Sequence, residues 1–171
     1  MSKRALKKYL SELDKEQLED QVLDLYHRFK EVKRYYDFVF NPKEDKLIEE
    51  AKTKISLEYF PTGKRRKAKM RRSVAQKYIK HFVQLGVDST LILDLMLFNI
   101  EIAQTRNREK YNSQESFYRS MLKSFQEVAS FAELNGILNE AIPRMEAIVA
   151  EAIDQHWFNR VGFDLVLEKL N

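Results

Sequence analysis

The chain of 171 residues carries 30 Lys or Arg and 26 Asp or Glu, a formal net charge of +4. Its 44% apolar content is enough for a core, while four Gly and three Pro are too few for a β-sandwich or barrel that turns every ~8–12 residues. The absence of Cys excludes disulfide scaffolds, thiolate metal sites and thiol catalysis.

Helical periodicity dominates and no useful length alternates with period two, so an all-α fold of seven to eight helices is expected. A short helix covers Lys3 to Leu10. Asp14, with Gln17 three residues on, reads as a capping box opening a long helix to about Phe40. Leu18, Val22, Leu25, Phe29, Val32, Tyr36 and Val39 form one stripe along it, regular enough to pack like a coiled coil. Asn41-Pro42 starts a helix with Leu47, Ile48, Ala51, Ile55 and Tyr59 inward, which stops at Pro61-Thr62-Gly63. Beyond the connector at 61–72, Ser73 caps a helix bearing Val74, Tyr78, Ile79, Phe82 and Leu85. Gly86 suits its left-handed end.

Asp88 or Ser89 opens a helix over Leu91 to Ala103 that is apolar almost all round and therefore central. Arg106 to Asn112 reads as a polar connector, and a helix from about Ser113 to Asn135 ends at Gly136. With Asn139 as cap, Pro143 falls at a fourth helical position that needs no N–H; a kinked helix starting near Ile137 is the alternative. A last short helix holds Phe163, Val166, Leu167 and Leu170. Residues 1–171 thus read as a single all-helical domain, either one helical bundle or a short superhelical stack of helical hairpins.

The Leu91–Ala103 stretch is interrupted by Asp94, Asn99 and Glu101, short of the ~18–20 apolar residues a spanning helix needs. The first ten residues are charged throughout, with no apolar stretch for a signal peptide. The expectation is a soluble cytoplasmic protein with no membrane contact.

Motifs for chemistry are sparse. His27, His81 and His156 lie on three different helices beside aromatic residues, which suits rings at packing seams better than metal ligation. A carboxylate-bridged metal pair in a helical bundle needs Glu-x-x-His twice; only Asp24 precedes a His at that offset, without a second copy. There is no phosphate-binding glycine loop, dinucleotide fingerprint or G-x-S-x-G elbow, so no catalytic residue, metal or cofactor is assigned and a non-enzyme is expected. Asp94 and Glu101, seven apart on the central helix, read as a solvent strip, as internal salt-bridge partners for the basic run, or as a general acid and base.

The charge itself is uneven. Residues 64–72 hold seven of the cations and no acid, and without them 23 basic residues face 26 acidic ones, a net of −3. Folding alone gives no reason to cluster like charges. Lys64, Arg65, Arg66, Lys67, Lys69, Arg71 and Arg72, continued by Lys77 and Lys80 on the next helix, make a candidate polyanion-binding surface. Tyr59, Phe60 and Tyr78 near its ends suit stacking on single-stranded bases. Nucleic acid is the first partner to consider. Other readings are an acidic protein, acidic residues of the same chain (Glu44, Asp45, Glu49, Glu50), or a solvated loop. A different function, as a protein-interaction adaptor or homo-oligomer, would use the stripe of the 14–40 helix.

The stretches LDLYHRFKEVK at 23–33, YYDFVFNP at 35–42 and RRSVAQKYIKHF at 71–82 resemble a bacterial family known as domain of unknown function 6155. The resemblance covers most of the first ~110 residues. It implies a bacterial cytosolic protein and brings no activity, ligand or catalytic residue with it.

Overall fold

The computed structural model describes residues 2–63 and 67–170, and these contain nine helices and no strand. Lys64, Arg65 and Arg66 of the basic run lie outside the described residues. Contacts divide the chain into two compact units, Met1–Lys43 and Glu44–Asn171.

The first unit holds α1 (Lys3–Ser11), α2 (Lys15–Arg28) and α3 (Lys30–Phe40). Asp14 caps α2 as expected: the Gln17 N–H donates to its carboxylate at 2.8 Å, and the Asp14 N–H donates to the Gln17 side chain at 3.1 Å. The single helix expected over 14–40 is two helices. Phe29 is extended (φ −117°, ψ 115°), and the break raises the count from the expected seven or eight to nine. Beyond it the chain folds back, so that the Tyr26 hydroxyl donates to Asp37 at 2.8 Å and the Tyr26 and Tyr36 rings meet at 6.5 Å. Residues 26 and 37 of a straight helix would stand about 16 Å apart. No Gly or Pro marks the break, so the sequence has no punctuation there. None of the side chains of α1–α3 is buried, and Phe40 is 81% exposed.

The second unit holds α4 (Glu44–Tyr59), α5 (Arg72–Leu85), α6 (Ser89–Glu109), α7 (Glu115–Asn135), α8 (Leu138–Asp154) and α9 (Arg160–Glu168). The helix expected to be central is central. α6 packs against α4, α5, α7 and α8, and α9 closes on α7 and α8. Leu95, Leu97, Ile100, Phe82, Phe125, Met121, Met145, Trp157 and Phe163 are fully buried around it. Each such side chain contributes roughly 1.5–3 kcal/mol relative to exposure. Gly86 (φ 77°) and Gly136 (φ 69°) end α5 and α7 in the left-handed conformation, where a Cβ would be strained.

Several boundaries differ from expectation. α4 begins at Glu44, two residues beyond the Pro42 expected to open it. α5 begins at Arg72 with Arg71 in the cap position, not at Ser73, because the Arg72 side chain is held on the core-facing side by α7. α8 begins at Leu138, so Pro143 lies inside the helix and the second of the two readings of its start holds. α6 continues to Glu109, through much of the expected connector, because Asn107 is buried and bonded there.

A cationic recess at the end of the central helix

α6 presents charge at three places, one of them Arg108, which donates to Glu151 at 2.8 and 2.6 Å and to Asp154 at 2.8 Å and so ties α6 to α8. Near its start Asp94 accepts from the Lys52 ammonium of α4 and from the Arg144 guanidinium of α8, each at 2.7 Å. Arg144 also grips Glu101 through two parallel bonds of 2.8 and 2.7 Å, the bidentate geometry a guanidinium favours. Lys52 sits 5.7 Å over the Phe98 ring as well. Burial pushes the Asp94 carboxyl up, but Lys52 and Arg144 together hold it below the usual carboxylate range. Of the three readings of Asp94 and Glu101, the ion pair comes nearest, but the partners are Lys52 and Arg144 and not the basic run, whose Arg71 and Arg72 are held by Glu58 and Glu127.

The basic run does not act as one body. Arg71 makes two bonds to Glu58 of α4, at 2.9 and 2.8 Å. That pairing holds the Glu58 carboxyl below its ordinary range, against the pull of its own burial. Arg72 donates to Ser124 at 2.8 Å and to Glu127, which also accepts from Gln76. Both guanidiniums therefore tie the connector and α5 to the rest of the fold. Lys77 and Lys80 are exposed on the side of α5 away from the buried Ala75, Ile79 and Phe82. Lys67 and Lys69 are exposed on the connector, and none of these four lysines has an ion-pair partner among the described residues.

Lys67 leads to the site that spacing did not reveal. A recess of about 690 Å³ is walled by Tyr59, Phe60 and Pro61 at the end of α4, by Lys67, Ala68 and Met70, and by Arg106 and Lys110 at the end of α6. The segment Tyr111 to Gln114 leading into α7 completes it. A smaller hollow next to it shares Pro61 and Lys67 and is also lined by Leu57, Glu58 and Lys69. Arg106 lies 5.8 Å over the Phe60 ring, and its nearest carboxylate, Glu109, is 3.8 Å away.

The walls are held from behind. The backbone N–H groups of Lys69 and Met70 both donate to the Glu58 carbonyl at 3.0 Å, which folds the connector onto the last turn of α4. Met70 thereby adopts φ 49°, a left-handed conformation costing roughly 1–2 kcal/mol for a residue with a side chain. The buried Asn107 accepts from the Asn112 N–H at 2.9 Å and from the Tyr118 hydroxyl at 3.2 Å, while its own amide donates to Gln155 at 2.7 Å. Burial and the nearby Tyr111 push the Tyr118 hydroxyl up to about 12. This network fixes the 111–114 segment against the core. Tyr59 is almost wholly buried, which pushes its hydroxyl pKa up, and that hydroxyl has no partner among the described residues.

Sequence reasoning missed Arg106, Lys110 and Asn107 because the polar run 106–112 looks like a loop. The missing signal is the spacing Ile100, Ala103, Asn107, which continues the helix once Asn107 is allowed inside.

Fold and site together define an all-helical protein built on one central helix, with a cationic recess at that helix's end. The chain matches the family of unknown function DUF6155 over residues 1–171, its whole length, and belongs to that family. No curated protein and no solved structure matches it.

Proposed function

We propose that the protein is a non-enzymatic helical binding module that contacts nucleic acid through the recess and the connector beside it. The observation that carries this reading is the convergence of Lys67, Arg106 and Lys110 on one hollow, with Lys69 adjacent and aromatic side chains among them. Lys67 and Lys110 have no ion-pair partner among the described residues and Arg106 has only Glu109 at 3.8 Å, which leaves positive charge for phosphate contacts. Arg71 and Arg72 support the surface from behind, and Lys77 and Lys80 extend positive charge along the outer side of α5. A bacterial, cytoplasmic setting is what the family resemblance implies.

Titration of a labelled single-stranded oligonucleotide tests the reading. Four phosphate contacts by Lys67, Lys69, Arg106 and Lys110 give log K a slope of about −3 against log[salt]. Replacing all four by Gln removes about that much of whatever slope the wild type shows. No binding at low salt, or an unchanged slope in the variant, ends the proposal.

A second reading, an adaptor or homo-oligomer, is favoured by one observation in the first unit. Leu18, Val22, Leu23, Tyr26, Tyr36 and Phe40 line an apolar hollow of about 630 Å³. It predicts association through α2 and α3, and light scattering showing a monomer across micromolar concentrations removes the oligomer version.

A further inference from the structure

We propose that the recess receives one nucleotide unit, with its phosphate held by Arg106, Lys110 and Lys67 and its base stacked on Tyr111. The inference rests on the nucleic-acid reading above and narrows it from a polyanion to a single strand or a free nucleotide.

The positive side chains come from two separate parts of the chain, the connector and the end of α6, and meet around one volume. Three cations at the rim of a recess concentrate an anion there more than the same charges spread over a convex surface.

The aromatic residues decide the class of anion. Tyr111 is 73% exposed, and a side chain this open gains by stacking on a planar ring. Phe60 is already covered by the Arg106 guanidinium, so the two rings take different tasks: one holds the cation, the other faces solvent. Bare phosphate leaves Tyr111 unused. A left-handed Met70 in the wall is strain of the kind that gathers at binding sites.

Size decides between single strand and duplex. A volume of about 690 Å³ falls within the ~300–1,000 Å³ of small-molecule sites, ample for one nucleotide. A duplex keeps its bases stacked inside and offers no ring face to Tyr111.

The experiment titrates the full chain with a labelled single-stranded oligonucleotide, with the duplex of the same sequence, and with adenosine monophosphate or inorganic phosphate as competitor. Expected are preference for the single strand, displacement by adenosine monophosphate well below the phosphate concentration needed, and about tenfold weaker binding by Tyr111→Ala with an unchanged salt slope. Lys110→Gln weakens binding and lowers the slope by about 0.7. Wild-type affinity in Tyr111→Ala, or equal competition by inorganic phosphate, overturns the nucleotide assignment while leaving a general polyanion surface standing. If adenosine monophosphate binds and loses affinity in Tyr111→Ala while no oligonucleotide binds, the recess stands as a free-nucleotide site and the nucleic-acid reading falls.

Discussion

Two of the charged regions of α6 differ in what answers their charge. In the first half and middle of the helix, Asp94 and Glu101 are met by Lys52 and Arg144, which arrive from α4 and α8 at hydrogen-bonding distance. At the end, about 18 Å further along from Asp94 to Arg106, the cations Arg106 and Lys110 border a recess. There Arg106 meets only the exposed Glu109, at 3.8 Å, while the neighbouring Arg108 is taken up by Glu151 and Asp154 of α8 at 2.6 and 2.8 Å. The first arrangement joins three helices across a partly buried seam. In the second, Arg106 lies over Phe60 and Lys110 has no ion-pair partner among the described residues. The same division splits the basic run: Arg71 and Arg72 are bonded within the fold, while Lys67 stands at the recess.

The largest expected effect comes from breaking the paired region. Arg144→Leu leaves two carboxylates on α6 with only Lys52 to answer them. It should lower unfolding stability by about 2 kcal/mol in urea titration, between the ~0–1 of exposed pairs and the ~3–5 of buried ones. A loss below the exposed-pair range means the cluster is a surface ornament.

Asn99 sharpens the contrast from the buried side of the same helix. It is 1% exposed on α6, and neither its amide nitrogen nor its oxygen has a partner among the described residues. Asn99→Leu should raise stability by about 1 kcal/mol, because a buried unsatisfied amide costs roughly 1–3 kcal/mol. A destabilised Asn99→Leu protein shows that the amide is bonded after all.

The paired region also predicts a pH dependence. The Asp94 carboxyl is held below its ordinary range in the folded protein, so its ionised form stabilises the fold above the unfolded carboxylate range. That contribution is lost as pH falls through the lowered folded value. The stability gap between wild type and Asp94→Asn should therefore be constant near neutrality and close below about pH 4. A gap that persists at acid pH assigns the effect to packing.

The smallest expected effect is at the recess. Lys67→Gln and Lys110→Gln should each leave stability within about 0.5 kcal/mol of wild type, as for exposed side chains with no partner.

The all-helical class, the central position of α6, the Asp14 capping box and the two glycine ends were legible because each rests on local chemistry or a 3.6-residue repeat. The break at Phe29 was not, since a regular stripe specifies a helical face but not whether the chain folds back upon it. The stripe of 14–40, the most regular in the chain, ends with no buried residue, whereas α6, with an interrupted pattern, is the core. Periodicity says which side chains share a face and nothing about what covers them. Charge clustering located Lys67 and Lys69 but could not separate them from Arg71 and Arg72, whose partners Glu58 and Glu127 lie 13 and 55 residues away. Arg106 and Lys110 were hidden for the same reason: only tertiary structure brings them to Lys67.

The central claim is that Arg106 and Lys110 at the end of α6 serve a ligand, while Lys52 and Arg144, like Arg108 on Glu151 and Asp154 of α8, serve the fold. Its most direct test is the affinity of Lys67→Gln/Lys110→Gln for a labelled single-stranded oligonucleotide at low salt, with Arg144→Leu measured alongside under conditions where it remains folded. The account predicts that the recess variant loses about tenfold or more while Arg144→Leu binds as wild type. Equal affinity in the recess variant and the wild type contradicts it.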